Sequence, residues 1–537
     1  MHGLIQDASL LTSATLAHAA RVYADVEVVT ARDGHVVHRS NYAQIDQRAR
    51  RFASSLSRLG LGKENVFLGA LGFNTWRMLE VMHAVPGSGA VLHTANPRLH
   101  ADDLAYSVQH AGDCAVLVDL DCLPLAETIA AACPKAQHWI ILCDAVDMPR
   151  ATTLPAPHCY EDLVAAGDAN YRWPDLDERR ASTLCFTSAT TGRPKGVLYS
   201  HRGTVLNVMS VSGRNGWDLG RGDCVLSTAP FFHCNGWGMP YMAPIVGAKL
   251  VLPGRVVSPA AMLRLIHAER VTHSGAVPTV LSDLLAEIQA SGGDFGTLRL
   301  LWTGATAPSQ VLLQRLQALG PTVRHAFGMT ETTQVLTIST PDPNATAEAQ
   351  QAEQLLQGQP VFLSDVRSVD DDGKVLPEDG TSVGHLQVRG AAVASAYFGR
   401  PDAPCLSDDG WLMTGDIGTL SSGARMRITD RSKDAIKSGG EWISSVALEN
   451  IAAGCPGVFQ AACIGAAHPR WQERPVLVLV RDVGASLDEQ AVRAHLQDKI
   501  AKWWMPDAIF FVQTLPKNSV GKVIKSELRT LYASVLE

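Results

Sequence analysis

The segment Thr187-Ser188-Ala189-Thr190-Thr191-Gly192-Arg193-Pro194-Lys195-Gly196 packs hydroxyls, small side chains, a turn-setting proline and two cations into ten consecutive positions. So little bulk lets a backbone close around a polyphosphate. The hydroxyls and exposed N–H groups then donate hydrogen bonds, and Lys195 or Arg193 adds charge. The spacing is not of the Walker type, because Gly196 follows Lys195 where a metal-holding hydroxyl would stand. The run Val197-Leu198-Tyr199-Ser200-His201 reads as a strand or helix entry that holds the loop rigid.

Four further segments carry reactive groups. Pro230-Phe231-Phe232-His233-Cys234-Asn235-Gly236-Trp237 joins a fixed turn, aromatics and an imidazole. Phe327-Gly328-Met329-Thr330-Glu331-Thr332 sets a hydroxyl beside a carboxylate at the end of an expected strand. Thr414-Gly415-Asp416 puts another carboxylate at a turn, and Pro516-Lys517-Asn518-Ser519-Val520-Gly521-Lys522 puts a lysine on a turn of small residues. Any one of these alone reads as an ordinary turn, a satisfied core histidine or a solvated charge. Their joint presence, in this order, points to one reaction.

Through these segments the chain resembles the adenylate-forming enzymes, which include acyl-CoA synthetases, luciferases and adenylation domains. The resemblance runs over essentially the whole sequence and is closest to the medium- and long-chain fatty acyl-CoA synthetases. It implies a phosphate loop containing Thr187, Ser188, Thr190, Thr191, Gly192 and Lys195, with Ala189 where the family often has glycine. It further implies that Thr330 approaches the α-phosphate and the substrate carboxylate, and that Glu331 helps hold magnesium. Asp416 and Arg431 would bind the ribose, and Gly304-Ala305-Thr306 with Phe327 would wall the adenine. Lys522 would enter the site for adenylation and Lys433 would be the hinge. Lys437, Gly439 and Gly440 would lie on the face that meets pantetheine. ATP, Mg2+ and coenzyme A are therefore the implied cofactor and co-substrates.

These roles fit the residue types. A carboxylate is a poor electrophile until one of its oxygens becomes part of a good leaving group. Attack on the ATP α-phosphorus achieves this, with magnesium and Lys522 neutralising the departing pyrophosphate. No base is needed for an acid already ionised near neutral pH, so positioning dominates. By the same resemblance, the smaller domain then turns about Lys433, Lys522 withdraws, and the thiolate attacks the activated carbonyl.

His233 after Phe232 departs from the aspartate of amino-acid-activating relatives and points to an acid without an α-amine. Trp237 is similar in position to an aromatic gate at a fatty-acid tunnel. His93-Thr94-Ala95-Asn96-Pro97-Arg98-Leu99 also looks like a segment of medium- and long-chain members. The expected activity is ATP-dependent ligation of a medium- to long-chain fatty acid to coenzyme A. The alternatives are a ligase for a short, methylthio- or aromatic acid, or an enzyme loading a carrier protein.

The elements that must position these groups follow from hydrophobic periodicity. Val66–Leu71, Ala90–His93 and Ala115–Val118 read as buried strands, with helices between them starting near Asn74, as a cap, and at Asp102. The alternation returns at Cys224–Ser227, Lys249–Leu252, Ala260–Glu269, Leu298–Thr303 and Pro308–Leu319. The expected fold is α/β: a large lobe of several subdomains with mostly parallel sheets, and a small mobile α+β C-terminal domain. The expected domains are 1–432, binding ATP and the acid, and 433–537, carrying Lys522 and the thioester-forming face. In the second, Ser445–Ala453 and Asp488–Ile500 read as helices, Ala462–Ile464 and Val476–Val480 as strands, and Lys517–Lys525 as a basic turn.

Composition bounds the rest. With 537 residues, 46% hydrophobic and 18% charged, the chain has the make-up of a folded globular protein larger than one domain. A net charge of -7 and no basic stripe argue against a nucleic-acid partner. The eleven cysteines lack metal spacing and read as thiols of a reducing compartment. No secretory signal is expected near the first residues, and no segment reaches the roughly 20 apolar residues of a membrane span. A cytoplasmic location without stable membrane insertion is expected, and a homodimer is left open.

Overall fold

A computed structural model of the chain describes all residues except 1–2, 188–192, 256–257, 401–404, 440, 483, 518–522, 533 and 537. The chain divides into two compact units. The first comprises Met1–Thr187, Pro194–Asp365 and Arg389–Leu412, and the second comprises Ser188–Arg193, Val366–Val388 and Met413–Glu537.

The first unit holds two large sheets, as the alternation of strands and helices requires. One runs, in spatial order, Pro157–Cys159, His138–Leu142, Ala115–Asp119, Phe67–Leu71, Val91–Ala95, Ala181–Phe186 and Gly196–Ser200. Its pairings are parallel until the last, where Ala181–Phe186 and Gly196–Ser200 run antiparallel. The run after Lys195 is therefore a strand, and Ser200 at its end caps the helix His201–Ser212 through Gly203 N. The other sheet has at its centre the parallel strands Cys224–Leu226, His273–Gly275, Leu300–Thr303 and Thr322–Phe327. Strands buried on both faces need continuous apolar runs, and Ala115–Val118 and Leu300–Trp302 provide them.

Asn74 does not cap the following helix. Thr75 caps Trp76–Gly87 instead, its hydroxyl accepting from Met78 N. The Asn74 amide donates to the Ser227 and Ala229 carbonyls and accepts from Phe231 N, so it fixes the segment that leads into His233.

The second unit carries a four-stranded sheet of Ser364–Val369, Gly384–Gly390, Leu412–Ser421 and Arg425–Arg431. It also carries a five-stranded sheet dominated by the hairpin of Val458–His468 and Gln472–Arg481. The helices Ser445–Ala453, Glu489–Gln497 and Lys525–Tyr532 belong to this unit. No disulfide joins any of the eleven cysteines, and all but Cys114 are buried. Among the described residues no helix is long and apolar enough to cross a membrane.

Candidate functional site

The phosphate-loop sequence is rooted in the first unit by a reciprocal pair: Thr187 N donates to the Lys195 carbonyl at 2.9 Å, and Lys195 N donates to Thr187 Oγ1 at 3.1 Å. Ser188, Ala189, Thr190, Thr191 and Gly192 lie outside the described residues. From the far side of the root, the Lys195 ammonium stands 4.5 Å from the centre of the Tyr397 ring. That distance suits a cation over an aromatic face.

Tyr397 also organises the Thr330–Glu331 turn. Its hydroxyl donates to Glu331 Oε1 at 2.7 Å, and Ala394 N donates to the Glu331 carbonyl at 2.7 Å. Burial, reinforced by the Glu331 charge, pushes the Tyr397 phenol above its ordinary range, so it remains a donor. Tyr199, on the strand that leaves the loop, donates to the Thr330 carbonyl at 2.7 Å. Thr330 Oγ1 lies 3.7 Å from Cys234 Sγ. Lys195 and the Thr330–Glu331 turn, far apart in sequence, are thus brought together by Tyr199 and Tyr397. Tyr199 sits inside a segment already singled out, but Tyr397 carries no local signal.

His233 precedes an unusual turn. Cys234, Asn235, Gly236, Trp237 and Gly238 all have positive φ, between 39° and 77°. L-residues strain in this region, and asparagine tolerates it better than most. Asn235 is fully buried and clamped on both ends of its amide, accepting from Thr183 Oγ1 at 2.7 Å and donating to Thr94 Oγ1 at 3.2 Å. The His93–Leu99 segment is therefore joined to this turn, and Arg98 adds a contact 5.4 Å from the Phe232 ring centre.

The turn delivers Trp237 to a narrow cavity whose lining includes Trp217, Ser227, Ala229, Met239 and Gly275. Behind it Trp217 stacks on Trp302 at 4.1 Å and 12°. Gly275 leaves room for these rings, since a Cβ there would stand 2.9 Å from Trp237 Cζ3 and 3.1 Å from Trp217 Cη2.

Gly304 and Ala305 follow the strand Leu300–Thr303, and Phe327 ends its parallel neighbour Thr322–Phe327. Both lie at carboxyl ends of strands, where ligands of parallel α/β sheets gather. A Cβ on Gly304 would stand 2.7 Å from the Ala326 carbonyl oxygen, so backbone approaches backbone there.

The second unit holds the remaining residues. Asp416 and Arg431 are cross-strand partners, with Arg431 Nε 2.8 Å from Asp416 Oδ1, and Asp416 is almost wholly buried. Burial lowers the Lys433 ammonium below its ordinary range, Asp434 opposing the shift. Lys437 lies on the strand Ile436–Ser438, with its ammonium 5.0 Å from the Trp442 ring centre. Gly439 has φ 61° and donates its N–H to the Trp471 carbonyl at 2.9 Å. Gly440 and Lys522 lie outside the described residues.

Among the described residues no cluster of three or more His, Cys, Asp or Glu side chains could hold a metal. A single buried carboxylate, Glu331, still fits magnesium, which commonly takes one or two protein carboxylates and otherwise phosphate oxygens and water.

Against known proteins, the family model described as AMP-binding enzyme matches residues 16–398, and that of the AMP-binding enzyme C-terminal domain matches residues 447–522. The 3-methylmercaptopropionyl-CoA ligase of Ruegeria pomeroyi is 42% identical, covering 100% of both chains. The medium-chain-fatty-acid–CoA ligase of Ectopseudomonas oleovorans is 40% identical, covering 100% of this chain and 98% of its own. Among solved structures, the anthranilate CoA ligase AuaEII superposes with a TM-score of 0.86 at 21% identity, covering 97% of each chain, a likeness of fold.

Proposed function

This chain belongs to the AMP-binding enzymes and is an ATP-dependent acid–thiol ligase, and we propose that its acid is short and compact, of methylthiopropionate size. The observation that carries this reading is the cavity beside Trp237. It is narrow: Trp237, Trp217, Met239 and Gly275 close around it with little free space between them. Its rear is a stacked pair of buried tryptophans, so a longer chain has to displace packed core. The medium- to long-chain expectation is the less favoured of the two, although the likeness to a medium-chain ligase keeps it as the second reading.

In the first step a carboxylate oxygen of the acid attacks the α-phosphorus of ATP, the bond to the β-phosphate oxygen breaks, and pyrophosphate leaves. Thr330 orients the two reacting groups, and Lys195 with the Thr187–Gly192 loop holds the phosphates. Glu331, held by Tyr397, would hold magnesium, which would supply charge neutralisation to the phosphates. Lys522 adds its charge at the same transition state. Phe327, Gly304 and Ala305 hold adenine, and Asp416 with Arg431 holds ribose. In the second step, after a turn about Lys433, the thiol of coenzyme A passes Lys437, Gly439 and Gly440 and loses its proton. Its sulfur attacks the adenylate carbonyl, and AMP leaves. His233 and Trp237 face the acid. Residues 1–432 serve the first step and 433–537 bring Lys522 and the thioester-forming face.

Purified protein with magnesium-ATP and coenzyme A, offered acids of two to eighteen carbons and 3-methylthiopropionate, tests this reading. AMP and acyl-CoA should form in equal amounts and be greatest for the short acids. A maximum at medium or long chains would replace the short-acid reading with the second one, and AMP without acyl-CoA would point to a carrier protein as acceptor.

A further inference from the structure

We propose that Lys525 is a positioning residue for adenylation, fixing the root of the loop that carries Lys522. The inference rests on the reading of Lys522 as the adenylation lysine.

The loop closes on itself just before Lys525. Lys517 and Val523 form an antiparallel bridge, and Ile524 N donates to the Pro516 carbonyl at 2.8 Å. The next residue, Lys525, opens the helix Lys525–Tyr532. Its ammonium donates to Glu449 Oε1 and to Ser445 Oγ, both at 2.7 Å. The two charged side chains are only 13% and 19% exposed. Glu449 Oε1 also accepts from Cys463 N at 2.8 Å, which ties it to the central hairpin. Ser445 donates from both N and Oγ to Asp430 Oδ2 at 2.6 Å. One buried cation thus links the loop root, the helix Ser445–Ala453 and the strand that ends in Arg431.

The helix does not need this cation for adhesion. Leu528 is buried and Tyr532 stacks on Phe510, which already holds the helix to the sheet, and Arg529 pairs with Asp434 at 2.7 Å. A buried ion pair is weak evidence of stabilisation. What two directional partners add is a fixed placement for a backbone that an apolar residue would leave free to slide. Lys522 must bring one charge to a transition state, where a misplacement of about 1 Å can cost 100-fold. A rigid root three residues away meets that need.

The test compares Glu449→Gln/Lys525→Met, which removes the cation together with the charge of its carboxylate partner, with Lys525→Arg, Ser445→Ala and Lys522→Ala. Three quantities are read: single-turnover formation of acyl-adenylate, transfer to coenzyme A from preformed adenylate, and the unfolding midpoint. Adenylate formation should fall about 10- to 100-fold in the double variant while transfer stays within about twofold. Lys525→Arg should recover part of the loss, and Ser445→Ala should show a smaller loss of the same kind. If the double variant does not fold, Ser445→Ala decides by the same criterion. Equal losses in both half-reactions, or unchanged adenylation beside an impaired Lys522→Ala, overturn the inference. Full adenylation by Lys522→Ala overturns the underlying reading and the inference with it.

Discussion

The Tyr397 hydroxyl is the hydrogen-bond donor that faces Glu331 Oε1, at 2.7 Å across 66 residues of sequence. A phenol kept protonated by burial cannot compete with the carboxylate for a cation, and its bond engages Oε1.

Tyr397→Phe removes that donor and keeps the ring under Lys195. A hydrogen bond to a charged group contributes ~1.5–3 kcal/mol, so adenylate formation should slow by roughly 10- to 100-fold. The magnesium concentration giving half the maximal pyrophosphate exchange should rise as well. An unchanged magnesium titration would show that Glu331 is held without the phenol.

Gly275→Ala should narrow the cavity beside Trp237, because its methyl meets Trp237 and Trp217 at 2.9 and 3.1 Å. Acetate should be used nearly as before, while kcat/KM for four-carbon and larger acids drops. Trp217→Leu should act in the opposite sense, each newly buried methylene contributing ~0.8 kcal/mol, about fourfold in kcat/KM. A substrate profile identical to the parent in both variants would remove this cavity from consideration as the acyl slot.

Asn235→Ala should destabilise the first unit by about 1–3 kcal/mol, since Thr183 and Thr94 lose a buried partner and alanine tolerates φ 40° less well. Asn235→Gly should recover the backbone part alone. Urea midpoints of the three proteins decide whether clamp or backbone dominates.

Acid should weaken the fold through three buried imidazoles. Burial pushes His83, His201 and His325 down to about 4 from an ordinary 6.5. Below pH 6.5 the unfolded chain binds these protons and the folded chain does not, so stability is full above 6.5 and is lost as pH falls toward 4. Each group contributes on the order of 3 kcal/mol over that window. Stability against pH between 6 and 5 should therefore show an uptake of nearly three protons on unfolding from these groups, and His83→Gln should reduce it by about one. A slope unaltered by that substitution would show His83 protonated in the fold.

Much of this was legible in the sequence because it is local. Buried parallel strands are short apolar runs, and the Thr187–Gly196, Thr330–Glu331 and Asp416 segments are each contiguous. The alternation predicted the strand that ends at Phe327 and the helix Ser445–Ala453 directly. Asn74 shows the limit: an asparagine ahead of a helix looks like a cap, but its amide is spent on carbonyls more than 150 residues away. Tyr397, Lys525 and the Trp217–Trp302 stack were invisible for the same reason, since each acts only through a partner distant in sequence. The length of the acid is not legible in the motifs, because Trp237 marks only where a slot would begin and the space beyond it depends on Trp217, Trp302 and Gly275, which no motif contains.

The buried thiols make the protein its own unfolding clock. Ten of eleven thiols are buried, with Cys114 alone partly accessible. A thiol reagent in excess should therefore mark the native protein sparsely and the opened chain in full, timing each excursion without an added probe. Cys234, beside Thr330, would report most locally, its labelling slowing whenever nucleotide and acid occupy their places.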